Sequence, residues 1–201
     1  MKNTNDGNRV VFLRGNMVNL RPLEESDLER CTRWINDPEV SRYLSGLWPL
    51  TMQAERKWLE SHSTGSKSDV VLAIETKDGV HIGNIGFHNI KWTDGVAVSG
   101  AMIGDKRYWD KGYGTDAKMQ LVNWAFSNLG LRKLCSQVIA FNARSLAYSK
   151  KCGYKVEGVL AKHVLRDGGY PDVVNLALFK EDWPPIWKAY LAKGKKRRKA
   201  K

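Results

Sequence analysis

The segment Ile103–Ala117, with the sequence IGDKRYWDKGYGTDA, has the residue types and spacing of an anion-binding loop. It follows an apolar, strand-like stretch and precedes a helical pattern that starts near Thr115. The N–H groups of such a loop and of the first helical turn have no partner inside the helix, so together they can bind an anion. Gly112 and Gly114 lack Cβ atoms and let the backbone approach a phosphate closely. The segment predicts a site for a pyrophosphate-bearing cofactor, although an ordinary tight turn would use the same residues.

A second candidate segment is FNARSLAYSKKCGY, which begins at Phe141 and predicts a helix that starts after Asn142. Asn142 is suited either to cap this helix or to contact a bound cofactor, and the sequence leaves both roles open. Ser145 lies in the first turn. Ser149 and its neighbour Tyr148 point about 100° apart around the helix, so only one of the two can face a given site.

Four further polar residues could carry chemistry elsewhere in the chain. His88 lies on a predicted strand and is a candidate general base, although a structural histidine is the commoner case at such a position. His81 and His163 are weaker candidates for the same role. Asp172 either braces the last hairpin or contacts an amine. A proton path through water, with no single base, would also serve.

The elements that would position these residues read as a mixed α/β pattern with one central sheet. Helices are predicted from Ser26 and from Thr51, and a strand is predicted from Val10 to Leu23 with a break near Gly15. The remaining predicted strands are 70–75, 81–90, 96–103, 133–140, 154–165 and 170–179, and the remaining helices are 115–129, 142–152 and a short one after Pro184. The order is not an alternating βαβ pattern, and neither a G-x-G-x-x-G nor a Gly-Lys-Ser/Thr loop is present, so dinucleotide-binding and Walker-type folds are disfavoured.

The length and composition favour one domain in a reducing compartment. The chain has 201 residues, 42% of them hydrophobic, and its three cysteines are widely spaced (Cys31, Cys135 and Cys152). We therefore expect neither a disulfide framework nor a metal site. The polar N-terminus has no apolar signal-peptide region and no run of apolar residues is long enough to span a membrane, which favours a cytoplasmic location.

The charge is concentrated at the C-terminal end. Of the formal net charge of +12, seven positive charges lie in KGKKRRKAK at residues 193–201. We expect a disordered segment at 1–9, one domain at 10–192 and a basic tail at 193–201. The tail is most simply a solvated, disordered end, while contact with RNA or the ribosome is a second reading and an acidic membrane surface a third.

The two motifs together carry a family resemblance. The chain resembles the GNAT superfamily of N-acetyltransferases in the order of its motifs. These are YWDKGYG followed by TDA, then FNARSLAYSKKCGY, a Glu-Gly pair and a G-Y-x-D hairpin. The likeness covers about residues 16–183 and is strongest to the branch of ribosomal-protein N-terminal and spermidine-type enzymes. It implies a single α/β domain whose central, mostly antiparallel sheet splays at one parallel strand pair and is flanked by helices.

The resemblance also implies a donor and a set of contacts. Acetyl-CoA would bind with its pantetheine arm between strands 96–103 and 133–140, paired with the backbone of Met102 and Ile103. The pyrophosphate would lie on the loop. The implied cofactor-binding residues are Met102, Ile103, Trp109, Asp110, Lys111, Gly112, Tyr113, Gly114, Thr115 and Asn142, and no metal is implied.

The chain departs from the family pattern at three places. The loop has Trp109, which is usual in this branch, followed by Asp110 where a glycine is common, and this puts an anion near the expected phosphate. The position of the family's tyrosine acid is Ser149, so either Ser149 or Ser145 would assist the leaving thiolate. The acidic base often present on the strand before the loop is replaced by Val98 and Ser99.

We therefore predict an acetyl-CoA-dependent N-acetyltransferase that acts by direct transfer to a primary amine. The acceptor would be a protein N-terminus, such as that of a ribosomal protein, or a polyamine or other small amine, with a weak preference for the first. The predicted catalytic residues are Ser149, Ser145 and His88, and a homodimer is compatible with the resemblance. The alternative is a non-catalytic CoA- or RNA-binding protein that keeps the fold.

Overall fold

The computed structural model describes residues 10–44, 46, 48–63 and 68–199, so the predicted disordered segment 1–9 lies outside the described residues. Its strands are β1 (Leu13–Arg14), β2 (Val18–Pro22), β3 (Val70–Thr76), β4 (His81–Lys91), β5 (Val96–Ile103), β6 (Lys133–Ile139), β7 (Lys155–Leu160) and β8 (Val173–Phe179). Its α-helices are α1 (Leu28–Ile35), α2 (Pro38–Ser41), α3 (Met52–Ser63), α4 (Tyr113–Ser127), α5 (Ala143–Lys151) and α6 (Trp183–Lys199).

The strands form one sheet in the order β1-β2-β3-β4-β5-β6-β8-β7. Neighbouring strands are antiparallel except β5 and β6, which are parallel. The parallel pairing is short: it joins residues 96–98 to residues 133–135 and then stops. The sheet is therefore continuous at one end of this pair and open at the other, which confirms the predicted splay.

The main core lies between the sheet and α4. Fully buried apolar side chains come from the central strands and from one side of the helix, among them Val18, Leu20, Ile85, Phe87, Leu121 and Val122. The close approach of β4 to its neighbours explains its glycines: a Cβ at Gly83 would lie 2.0 Å from the Met102 carbonyl oxygen. Residues Leu28, Cys31 and Trp34 of α1 are buried as their spacing predicts. The core fixes α4 against β5, where the candidate loop begins.

Three boundaries differ from the prediction. The last two strands are shorter than expected, because residues 161–172 form turns and an isolated bridge at Arg166 rather than a continuous ladder. Helix α1 follows a short 3₁₀ turn capped by Glu24, so Ser26 is not its N-cap. Helix α6 continues to Lys199, so residues 193–199 extend a helix instead of forming the separate, disordered tail that we expected.

Helix α6 is anchored by aromatic side chains along one side. Trp183, Trp187 and Tyr190 stack in sequence with ring centroids 5.8 Å and 5.1 Å apart. Farther along, Gly194 is buried against the side chain of Asn16. Within the described part of the chain, neither α6 nor any other helix combines the length and apolar content needed to cross a membrane.

Candidate active site

A cavity of about 1180 Å³ opens where β5 and β6 separate. Both strands line it, together with the start of α4, one side of α5, the segment after α2 and the connection between β7 and β8. At the point of separation, the Ser99 hydroxyl donates to the Cys135 carbonyl at 3.0 Å, and it lies 2.8 Å from the Tyr154 hydroxyl. Ser99, at the position where the family often has an acidic base, therefore holds the fork of the two strands together.

The N-terminus of α4 forms the part of this cavity that is best suited to an anion. Gly112 caps the helix with φ of 89°, a left-handed conformation that favours glycine. Gly112, Gly114 and Thr115 all line the cavity, so the first turn of α4 faces it. The positive end of the helix dipole and the N–H groups of this turn suit a phosphate group. The geometry supports the anion site that the glycine spacing predicts.

Asp116 fixes the start of α4 to two other elements. Its carboxylate accepts hydrogen bonds from the N–H groups of Met17 and Val18, at 2.8 and 3.0 Å, and from the Tyr190 hydroxyl at 2.7 Å. The N–H of Asn16 also donates to it at 3.2 Å. Because burial and the neighbouring carboxylate both raise the pKa of Tyr190, its hydroxyl keeps its proton and remains a donor. The β1–β2 turn and α6 therefore help to position the anion site.

Arg144 connects the loop to α5. Its guanidinium lies 3.8 Å from the centroid of the Trp109 ring, and its Nη1 lies 3.6 Å from the Asp110 Oδ2 atom. The Trp109 indole donates to the Ile103 carbonyl at 2.6 Å, so that oxygen already accepts one hydrogen bond. The position of Asp110 in the sequence suggests that its carboxylate would repel a phosphate. Because the carboxylate is 72% exposed and lies beside the Arg144 cation, that repulsion is weakened. Nothing in the sequence marks Arg144 as part of the site.

Asn142 has the capping role that the sequence left open. Its side-chain oxygen accepts a hydrogen bond from the Ser145 N–H at 3.0 Å, and it caps α5. Asn142 and Ser145 both line the cavity as well. The cap and a contact with a bound molecule are therefore compatible, because the capping residue also lies on the cavity wall.

Ser149, predicted to assist the thiolate, does not line the cavity. Its side chain is fully buried, and its hydroxyl accepts a hydrogen bond from Lys118 Nζ at 3.5 Å. Tyr148, one position earlier on α5, lines the cavity in its place. Burial raises the pKa of Tyr148 well above that of an exposed tyrosine, so its hydroxyl stays protonated near neutral pH. The rotation of α5 about its axis places Tyr148 rather than Ser149 on the cavity wall, and the sequence alone does not determine that rotation.

His88 lines the cavity and is paired with an acid. Its Nδ1 atom lies 3.3 Å from the Asp69 Oδ1 atom. Its Nε2 atom lies on the Gly100 side, 3.7 Å from where a Cβ of that residue would be. A register shift in β4 between His88 and Lys91, with Asn89 at φ of 51°, gives the strand its local bend here.

Asp69 is held in place by its own contacts. Burial tends to raise its pKa, but hydrogen bonds from the Ser68 hydroxyl and the Asn89 N–H, together with His88, lower that pKa overall. A carboxylate at Nδ1 keeps the proton on that nitrogen and leaves Nε2 to accept another. Nothing in the sequence pairs Asp69 with His88, because Asp69 precedes β3 and His88 lies on β4.

The cavity thus unites most of the predicted site residues. Those that line it are His88, Met102, Ile103, Trp109, Asp110, Gly112, Gly114, Thr115, Asn142 and Ser145. Lys111 is exposed outside it, and Tyr113 packs against Tyr108 with ring centroids 5.1 Å apart. Both belong to the segment Ile103–Ala117 without forming part of the cavity wall.

Known proteins with the same features are acetyltransferases. The chain is 25% identical to the uncharacterised N-acetyltransferase p20 of Bacillus licheniformis over 171 residues, which cover 83% of this chain and 94% of that protein. Its fold matches the spermidine N-acetyltransferase of Vibrio cholerae solved with CoA and spermine, with a TM-score of 0.78 and 19% identity over 82% of this chain and 96% of that one. It also matches RimJ of Mycobacterium smegmatis solved with CoA-disulfide, with a TM-score of 0.78 and 19% identity over 90% and 92% of the two chains.

At such low identity, the two structures show the fold alone. The family is shown by the model described as the acetyltransferase (GNAT) domain, which matches residues 18–155. This match spans the anion-binding loop, the fork between β5 and β6 and helix α5. It confirms the acetyltransferase class and the acetyl-CoA donor predicted from the two motifs. The chain belongs to the GNAT family of acetyltransferases.

Proposed function

We propose that the protein transfers the acetyl group of acetyl-CoA to the α-amino group of a peptide or a similar uncharged primary amine. The observation that carries this proposal is that the open gap between β5 and β6 leads, within one cavity, to the N-terminal turn of α4. An extended arm fits between strands that have stopped pairing, and a pyrophosphate fits the turn. The chain therefore offers complementary places for both parts of the donor.

In this proposal His88 is the general base. Its Nε2 atom would accept the proton that the amine loses as the amine nitrogen bonds to the acetyl carbon. Asp69 holds the ring in the required tautomer and stabilises the charged imidazolium that results, from 3.3 Å away. In this proposal, His88 and Asp69 together take the role of the acidic base that is absent at Val98 and Ser99.

Tyr148 is the proposed acid, with Ser145 as a nearby hydroxyl on the same cavity wall. As the carbon–sulfur bond breaks, the Tyr148 hydroxyl would pass its proton to the leaving sulfur and regain one from solvent. His88 would return the amine proton to solvent, so the reaction is balanced. Transfer is direct, and no residue of the chain needs to carry the acetyl group.

The charges of the cavity favour an uncharged acceptor over a polyamine. Two carboxylates line it in the described part of the chain, and each lies beside an arginine: Asp110 by Arg144 and Asp167 by Arg42. A polyamine carries several ammonium groups that need free carboxylates, and these two are engaged. An α-amino group has a lower pKa than a polyamine nitrogen, so more of it is neutral and ready to react.

Release of free CoA thiol, measured against a panel of amines, tests the proposal. We expect turnover with short peptides that have a free N-terminus and little turnover with spermidine or spermine. N-acetylated versions of the same peptides are the matched controls and should give none. Preference for spermine over every peptide would contradict the acceptor assignment while leaving the acetyltransferase activity intact.

The alternative of a non-catalytic CoA- or RNA-binding protein is tested by the same materials. Binding of CoA without turnover on any amine would favour it. For RNA, the variant to use ends after Lys195, because Gly194 packs against Asn16 and its loss would disturb the fold. If this variant loses RNA binding and keeps acetyl transfer, the basic end is a separate binding segment, whereas unchanged RNA binding would remove that role.

A further inference from the structure

Lys118 is a buried cation directly behind the cavity wall. Its side chain belongs to α4, and the residue is only 1% exposed. The ammonium lies 4.6 Å from the centroid of the Tyr148 ring and 4.3 Å from that of the Tyr154 ring, and it donates to the Ser149 hydroxyl at 3.5 Å. Among the residues that the structure describes, no carboxylate forms a salt bridge with it.

This environment is costly for a charged side chain. Removing an ammonium from water without a carboxylate partner costs several kcal/mol, and contacts with aromatic rings return about 2 kcal/mol each when desolvated. An unbranched apolar side chain such as methionine would fill the same space without that cost. Fold stability therefore does not account for a lysine at this position.

Of the two tyrosines that enclose the ammonium, one lines the cavity and the other contacts a residue of the cavity wall. Tyr148 lines the cavity, and Tyr154 is hydrogen-bonded to Ser99 at the fork of β5 and β6. Lys118 itself does not line the cavity, so it cannot contact a substrate there. Any influence on the reaction must pass through its field and through the placement of the Tyr148 ring.

We propose that Lys118 is a positioning residue whose buried ammonium stabilises the negative charge that arises on the Tyr148 oxygen and the leaving sulfur during acetyl transfer. The proposal rests on the proposed function, in which Tyr148 gives its proton to the sulfur. In a poorly solvated site, a charge several ångströms away still exerts a substantial field, because little water screens it. The cation would hold the tyrosine ring and favour each anionic form without touching the donor.

The titration of Lys118 gives this role a pH signature. Burial lowers the pKa of Lys118 to about 8, so its side chain is a charged ammonium below that pH and a neutral amine above it. Four groups face the ammonium: Tyr148 and Ser149 on α5, Cys152 at the C-terminal end of α5, and Tyr154 just before β7. Burial raises the pKa of both tyrosines and raises that of the Cys152 thiol to about 11, so these groups remain neutral while Lys118 titrates. We expect the wild-type rate to fall as pH rises through about 8.

The test compares the wild type with Lys118→Met and with Lys150→Met, a control on the exposed side of α5. The first measurement is the pKa of the thiol of bound CoA, followed by the ultraviolet absorbance of the thiolate. We expect this pKa to be higher in Lys118→Met by roughly one unit, from a charge at such a distance. The Lys150→Met protein should match the wild type.

The second measurement is the steady-state rate with a peptide acceptor between pH 6 and pH 10. In Lys118→Met we expect kcat to be about tenfold lower at neutral pH, the fall near pH 8 to be absent, and KM for the peptide to be unchanged. We also expect the variant to unfold at the same temperature as the wild type or a higher one, since a buried charge has been removed. A purely structural lysine predicts the opposite change in stability.

The outcomes separate this inference from the proposed function. If CoA binds and peptides are acetylated, but the bound thiol pKa and the pH profile are the same in both proteins, the role of Lys118 is overturned and the function stands. If the wild type binds no CoA, the proposed function fails and this inference fails with it. A lower unfolding temperature together with an unchanged thiol pKa would assign Lys118 to the fold alone.

Discussion

At the scale of single residues, the structure explains Asp110, the loop position that departs most from the family pattern. Asp110 has φ of 57°, the left-handed region in which glycine is at ease and aspartate is tolerated. Its carboxylate lies beside Arg144, not free at the anion site. The residue type is visible in the sequence, but its backbone conformation and its partner are not.

Replacing Asp110 with glycine should strengthen donor binding. The Asp110→Gly variant removes a negative charge near the phosphate position, relieves the backbone and frees Arg144. We expect CoA to bind about fivefold more tightly, which corresponds to about 1 kcal/mol for a solvent-exposed charge. Isothermal titration with CoA measures this. Asp78→Gly removes an exposed acid in the turn after β3 and is the control. Weaker binding by Asp110→Gly would show that the carboxylate supports the loop.

The pairing of His88 with Asp69 gives a second prediction at this scale. Asp69→Asn should lower kcat by roughly tenfold to a hundredfold, because the amide no longer stabilises a protonated imidazole. CoA affinity should be unchanged, since Asp69 is not part of the anion site. Steady-state kinetics over a range of pH measure the effect, and Asp94→Asn, in an exposed turn, is the matched control. Wild-type kcat in Asp69→Asn would remove His88 from the role of base.

At the scale of elements, local patterns located most of the site and left out its long-range pairs. The meander and the β5–loop–α4 unit were predicted to within about two residues, because strand alternation, Gly112 and the apolar face of α4 are local signals. Which residue of α5 faces the cavity is not a local signal: Ser149 is buried, and Tyr148 lines the cavity. Two residues about 100° apart on a helix look alike until its docking against α4 is known.

The β1–β2 turn, the start of α4 and α6 all depend on the side chain of Asp116. Asp116→Ala should leave the N–H groups of the β1–β2 turn without their acceptor and lower the free energy of unfolding by roughly 3 kcal/mol. Because the same carboxylate fixes the start of α4, CoA binding should also weaken. Gln120→Ala is a close control, since Gln120 donates to the same Tyr190 hydroxyl at 2.9 Å without touching the turn.

Chemical denaturation and CoA titration of both variants distinguish the two roles of Asp116. Gln120→Ala should lose only about 1 kcal/mol and keep its CoA affinity. If Asp116→Ala is destabilised but binds CoA as the wild type does, the anion site is positioned by the rest of α4 and not by this carboxylate.

At the scale of the whole molecule, a buried ionic cluster joins the first strands and helix. The Arg21 guanidinium contacts the Asp27 carboxylate at 2.6 Å and the Glu75 carboxylate at 2.7 Å, and His81 Nδ1 lies 3.1 Å from Asp27. Burial alone would raise the pKa of Asp27, but the hydrogen bonds from Arg21 and the closeness of the His81 ring lower it far below its usual range. The sequence shows these residues only as scattered polar positions on β2, β3, β4 and the turn before α1.

This cluster should control stability in acid. A carboxyl whose pKa is lower in the folded state stabilises the fold above its unfolded pKa of about 4, and this contribution is lost as pH falls toward the folded value. We expect wild-type stability to decline steadily below about pH 5. Asp27→Asn should be less stable at pH 7 by roughly 3 kcal/mol, with a shallower decline in acid. Thermal unfolding between pH 3 and pH 7 measures both, with Asp78→Asn in an exposed turn as control.

The short pairing of β5 with β6 has a consequence for how the molecule moves. Among the described residues, strand pairing at 96–98 and 133–135 alone joins the five strands on one side of the sheet to the three on the other. The backbone amides of β5 beyond Ser99 therefore have no described strand partner across the gap. In hydrogen–deuterium exchange, the amides of β5 that point into the gap should exchange quickly in the free protein and slow down when CoA is added. The donor would then act as a missing strand, and its departure after each turnover would return the two halves of the sheet to independent motion.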